Sequence, residues 1–99
     1  MSTEYPLINN EAAKRYEFHI EEQTPLIEYI LTNQKIFLTH TEVPKALEGK
    51  GIGSALIKSV LEDIDQKGLT LVPLCPFVAA YIKRHPEWKR LVLKGINVK

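Results

Sequence analysis

At 99 residues, 44% of them apolar and 25% charged, the chain has room for one globular domain that buries roughly two thirds of its unfolded surface, and not for a second core. A formal net charge of +1 gives no general attraction to nucleic acid or to an anionic membrane. The one cysteine, Cys75, cannot close an internal disulfide, and no apolar run is long enough for a bilayer span or a secretory signal. A cytoplasmic domain over residues 1–99, monomeric or weakly dimeric, is expected.

Met1 to Ala13 is polar, and its first residues are expected to fray. From Arg15 to Glu21 the pattern alternates, with Tyr16, Phe18 and Ile20 on one face and Glu17, His19 and Glu21 on the other, as in a half-buried strand. Glu22 to Pro25 turns the chain into a second strand, Leu26 to Thr32, and Asn33-Gln34 makes a tight hairpin into a third, Lys35 to Val43. Ile36 and Leu38 oppose Phe37 and Val43 on that third strand, so both its faces are apolar and it belongs inside the sheet.

Pro44 ends the strand, and a helix is expected from Gly51 to Lys67. Its apolar face is Ile52, Leu56, Ile57, Val60, Leu61 and Ile64, with Lys58, Glu62, Asp65 and Gln66 in water. Gly68 stops it. Leu69 to Leu74 reads as a short apolar strand, Phe77 to Arg84 as a second helix and Lys89 to Val98 as a last edge strand. The order implies an α+β fold, with helices packed on a mainly antiparallel sheet.

Chemistry concentrates where the first helix starts. In Glu48-Gly49-Lys50-Gly51-Ile52-Gly53-Ser54, close glycines leave first-turn N–H groups bare, and the helix dipole adds about half a positive charge there, so a diphosphate can dock on backbone alone. A Walker loop is excluded because no Gly-Lys-Ser/Thr occurs. The dinucleotide fingerprint fails because its third glycine falls at Leu56 and the preceding strands form a meander. No Cys, His and acidic cluster has metal-ligand spacing.

What remains, x-x-x-Gly-x-Gly at a helix start after a strand meander, resembles motif A of the GNAT acetyltransferase superfamily, Gln/Arg-x-x-Gly-x-Gly/Ala. Gly51 and Gly53 match, whereas Glu48 stands at the first position and is expected to point away. The segments His40-Thr41-Glu42-Val43-Pro44, Gly49 to Leu56, and Pro73-Leu74-Cys75-Pro76-Phe77-Val78 through Tyr81 to Arg84-His85-Pro86 are similar to a minimal, short, single-domain GNAT-like family. The likeness runs from about Ile8 to Leu93 and lacks the helical segment that larger members insert after their first strand.

The resemblance implies a GNAT-like sheet with two main helices and a parallel strand pair splaying after Val43 and Leu74. Acetyl-CoA would lie in the split, its pantetheine arm pairing with the strand around Thr41 and Val43 and its pyrophosphate on Lys50, Gly51, Ile52, Gly53 and Ser54. Phe77 would be a wall, and Arg84, with Lys83 and His85, would reach the ribose phosphate or merely complement the helix dipole. Cys75 would sit at the mouth near the thioester. Pro76 suits a first helical position, which makes Cys75 the residue before it, where the dipole favours thiolate; the alternative is an inert buried thiol. Tyr81 matches the tyrosine often proposed to protonate the departing thiolate. Glu42 and His40 share a face near the split, as bases for an incoming amine or as structural hydrogen-bonding groups. The implied activity is acetyl transfer to an amine, directly or through an acetylated Cys75. The alternatives are a non-catalytic CoA or acetyl-CoA binding module, or a purely structural interaction domain.

Overall fold

The computed structural model describes residues 5–94. Five strands, β1 (Ile8–Asn10), β2 (Arg15–Glu17), β3 (Leu26–Thr32), β4 (Lys35–Glu42) and β5 (Thr70–Pro73), form one sheet in chain order. The first four pair antiparallel, while β4 and β5 pair parallel. A parallel pair needs a crossover, and helix α1 (Ile52–Gln66) supplies it. Helix α2 (Pro76–Arg84) follows β5. The result is the α+β, mainly antiparallel sheet with two main helices that the element order implied.

The α1 residues buried against the sheet are the six read from the helical periodicity, Ile52, Leu56, Ile57, Val60, Leu61 and Ile64. They meet Tyr16, Ile27, Tyr29, Ile36 and Leu38 from one face of the sheet, together with Val78, Tyr81 and Ile82 of α2. Fully burying each such aliphatic group contributes about 1.5–3 kcal/mol. Gly68, at φ +68°, ends α1 with paired bonds from its N–H to Asp65 O at 3.1 Å and from Leu69 N–H to Ile64 O at 3.1 Å. Arg90 clasps Asp65 on α1 with two bonds, at 2.9 and 2.7 Å.

Four expectations change. β1 lies inside the polar stretch Met1 to Ala13, to which no strand was assigned, and polar contacts hold its hairpin: Asn10 Oδ1 accepts from Ala13 N–H at 3.1 Å and Asn10 Nδ2 donates to Glu17 at 2.9 Å. β2 stops at Glu17 instead of running to Glu21, because Ile20 and Gln23 exchange both backbone bonds around Glu21, whose φ is +56°. Glu17 is also buried, 3% exposed, where alternation puts it in water. Arg15, His19 and Asn10 all bond its carboxylate. Burial alone would raise its pKa, but these three bonds outweigh burial and hold it at about 2.

The expected last strand is replaced at its start by a 3-10 helix over Pro86–Leu91, with Pro86 in its first turn. Among the described residues of that segment, only Val92 bridges Leu71, in parallel, with Leu93 N–H bonding Leu71 O at 2.9 Å. The remainder of that segment, residues 95–98, lies outside the described residues.

Candidate functional site

Pairing of β4 with β5 runs from Lys35↔Thr70 to Leu38↔Pro73 and then ends. The backbone N–H groups of Leu74 and Cys75 both donate to Leu38 O, at 3.0 and 2.9 Å. β4 continues to Glu42 beside β3, so its far end parts from β5 as Pro76 turns the chain into α2. Pro76 suits that start because a first-turn residue has no N–H bond to lose.

A β-bulge sets what faces inward beyond this point. Tyr29 opposes Leu38 and Glu28 opposes His40, leaving Thr39 unopposed. The extra residue reverses the alternation. Ile36 and Leu38 point to the core before it, and Thr41, opposite the fully buried Ile27, points inward after it. His40 and Glu42 therefore share the opposite face, as expected of a pair, with His40 Nε2 3.5 Å from Glu42 Oε1 and both side chains more than half exposed.

Across the split lies the glycine loop. Gly51 caps α1 with φ +74° and ψ +11°, a left-handed conformation that disfavours any side chain. No side chain caps the helix, and the first N–H bonded within it is that of Ala55, to Gly51 O at 3.0 Å. The amides of Ile52, Gly53 and Ser54 are therefore the bare donors of the first turn. Gly53 is glycine for another reason: a Cβ there would lie 2.9 Å from Phe77 Cζ and 3.4 Å from Val43 Cγ2. β4, α1 and α2 meet at this one point.

These elements enclose a cleft of about 530 Å³. Thr41, Glu42 and Val43 line it from β4 and its extension, and Gly51, Ile52, Gly53 and Ser54 from α1, with Phe77 from α2. Sequence reasoning passed over Leu47, which borders the cleft together with Glu48 and Gly49 of the glycine run. A bare helix start beside a groove of this size, with open space at the Cβ positions of Gly49 and Gly51, fits a diphosphate carried on a longer chain.

Other candidate residues lie elsewhere. Lys50 lines a separate depression with Tyr5, Ile20 and Glu21. Arg84 is at the C-terminal end of α2, about 10 Å along the helix from Phe77, and His40 is outside the cleft lining. Cys75 is the residue before α2, as expected, but it is buried and 5% exposed. Its thiol donates to Thr41 Oγ1 at 3.3 Å, and it is not among the residues that line the cleft. Tyr81, also 5% exposed, packs its ring 4.2 Å from that of His85. Burial first, then Glu87 and Glu62, raise its pKa and keep its hydroxyl protonated, but it does not border the cleft.

The chain matches the family model described as GCN5-related N-acetyl-transferase over residues 15–91. Among curated proteins, it is 33% identical over 61 residues to Protein NATD1 of Xenopus tropicalis, covering 62% of this chain and 55% of that protein. Protein NATD1 of Homo sapiens is 34% identical over 61 residues, covering 62% of this chain and 53% of the relative; the match thus spans about half the length of these relatives. Among solved structures, the solution structure of a "GCN5-like putative N-acetyltransferase" from Staphylococcus aureus superimposes with a TM-score of 0.69 at 22% identity, covering 93% of this chain and 91% of that one. That likeness is one of fold.

Proposed function

The chain belongs to the GCN5-related N-acetyltransferase family, and on that premise we propose that it binds acetyl-CoA in the cleft and transfers acetyl to an amine. The observation that carries the proposal is the bare first turn of α1 opening onto the groove that leads to the split. In this reading the amides of Ile52, Gly53 and Ser54 hold the diphosphate. The N–H and C=O groups of β4 beyond Leu38, freed where β5 departs, bond the amides of the pantetheine arm as a neighbouring strand would. Gly51 keeps the approach clear, and Val43 and Phe77 form the apolar wall. Lys50 and Arg84 are not among the residues that line the groove, and this reading assigns them no contact.

Bound acetyl-CoA supplies an acetyl group activated as a thioester. The attacking amine must arrive uncharged, so a group near the split has to take its proton. Glu42 borders the cleft and carries His40 beside it, which makes this pair the proton acceptor, directly or through water. Once the amine nitrogen has bonded the carbonyl carbon, with negative charge held on the carbonyl oxygen, the carbon–sulfur bond breaks and the sulfur leaves as thiolate, to be protonated from solvent or from the protein.

The test is calorimetric titration with acetyl-CoA, CoA, NAD and ATP, followed by mass spectrometry of a panel of amines. Saturable binding of the two CoA species, much weaker binding of NAD and ATP, and acetylated product are expected. NAD or ATP binding as tightly as CoA would overturn the cofactor assignment. One observation favours a second reading, a CoA-binding module without turnover: neither Cys75 nor Tyr81 lines the cleft. Binding with no product from any amine would establish it.

A further inference from the structure

We propose that the Thr41 hydroxyl is the donor that polarises the acyl carbonyl in the split, and that Cys75 positions that hydroxyl without being a nucleophile. The inference rests on the acetyl-CoA reading above and assigns a role within the same site. A hydroxyl carries one proton and two acceptor lone pairs. The Cys75 thiol donates into one lone pair of Thr41 Oγ1 at 3.3 Å. Thr41 therefore keeps its own proton for another acceptor, and Thr41 is one of the residues that line the cleft.

The neighbouring threonine shows the contrast. Thr39, the bulged residue, spends its hydroxyl proton on Glu28 O at 3.3 Å, whereas the Thr41 hydroxyl has no acceptor among the described residues. The bulge makes the difference, since without the unopposed Thr39 the alternation from Leu38 would point Thr41 to the opposite face. Cys75 is held in turn by its backbone bond to Leu38 O at 2.9 Å and by burial. Its Sγ is thus a fixed point against which the Thr41 rotamer is set.

A donor fixed before the reaction is worth most where negative charge develops, here on the carbonyl oxygen while the amine adds and before the sulfur departs. No bond to Cys75 forms or breaks in this arrangement. The thiol stays a thiol, and the acetyl group passes from sulfur to nitrogen in one transfer.

The experiment is isotope-edited infrared spectroscopy of carbonyl-labelled acetyl-CoA bound to the wild type, Thr41→Val, Thr41→Ser and Cys75→Ala, with calorimetry of each. The wild type is expected to move the thioester carbonyl band to lower frequency. Thr41→Val should abolish most of that shift at nearly unchanged affinity, and Thr41→Ser should restore it. Cys75→Ala should broaden the band and reduce the shift in part, because the hydroxyl remains but its rotamer is freed. Turnover of Thr41→Val should fall on the order of 10²-fold, and that of Cys75→Ala by less. A carbonyl shift unchanged in Thr41→Val, or an acetylated Cys75 whose removal abolishes transfer, would overturn the proposal while acetyl-CoA still binds. Absence of acetyl-CoA binding in the wild type would overturn the cofactor reading and this proposal with it.

Discussion

Gly53→Ala separates folding from binding at the point where three elements meet. The added methyl would sit 2.9 and 3.0 Å from two atoms of the Phe77 ring and 3.4 Å from Val43 Cγ2. Carbon atoms prefer about 3.5–4.0 Å, so the ring must recede by roughly 0.5–1 Å. It has room to do so, being 40% exposed and outside the buried core cluster. Alanine is favoured over glycine in a helix by about 0.5–1 kcal/mol, which offsets the ring's displacement. Net stability should therefore stay within about 0.5 kcal/mol in urea melts. Binding should suffer more, because both the methyl and the displaced ring crowd the Gly53 amide. Losing part of one charge-assisted hydrogen bond costs about 1–2 kcal/mol, or roughly 5- to 30-fold in CoA affinity by calorimetry. In a Phe77→Ala background the ring is gone, and about 0.5–1 kcal/mol of the loss should disappear as coupling. A folded Gly53→Ala variant with wild-type affinity, or a cycle showing no coupling, would refute both the packing argument and the anchor role of the first turn.

Tyr16 is 1% exposed and its hydroxyl donates to Asp63 Oδ2 at 2.7 Å, tying β2 to α1. Because Asp63 keeps Lys67 at 2.9 Å and some water access, Tyr16→Phe should cost only about 1–2 kcal/mol in urea unfolding; a change under about 0.3 kcal/mol would show the bond to be dispensable. Glu17, held at about 2 against an ordinary 4.5, binds fewer protons folded than unfolded, so its contribution is complete above about pH 4.5 and is lost as pH falls toward 2. Unfolding free energy measured across that window should drop in the wild type and flatten in Glu17→Gln, and equal slopes would contradict the assignment. The buried, hydrogen-bonded Cys75 thiol should alkylate slowly in the folded protein and quickly in urea; fast native alkylation would mean that the split opens. Tyr81→Phe should leave CoA affinity unchanged, since Tyr81 does not border the cleft, and a several-fold loss would place its hydroxyl in the site.

Helix positions, the hairpin and the glycine loop were legible because each has a local cause. Ile52 through Ile64 recur at helical spacing, Asn33 and Gln34 take the φ of +51° and +66° that a tight hairpin demands, and Gly51 and Gly68 bracket α1 with positive φ. Features settled by polar side-chain contacts instead of by apolar pattern were not legible. β1 has little apolar pattern because Asn10 and Glu17 hold it. Glu17 reads as a solvent residue until Arg15, His19 and Asn10 converge on it. The Thr39 bulge left one trace, an apolar phase passing from Ile36 and Leu38 to Val43, which reads equally as a strand with two buried faces. That ambiguity hid the inward turn of Thr41. Lys50 and Arg84 were assigned for their charge, one within the glycine run and one at a basic helix end, and charge alone does not say which residues line the groove; neither is in its lining.

The most direct measurement is an amide-resolved NMR titration of the isotope-labelled protein with CoA. Saturable shifts should centre on Thr41, Glu42 and Val43 and on Gly49 through Ser54, with the Gly53 amide moving downfield as it gains a charged acceptor, while the end of α2 around Arg84 stays still. No saturable shifts, or shifts confined to residues outside the cleft, would contradict the claim that the bare start of α1 and the split beside it form one coenzyme A site.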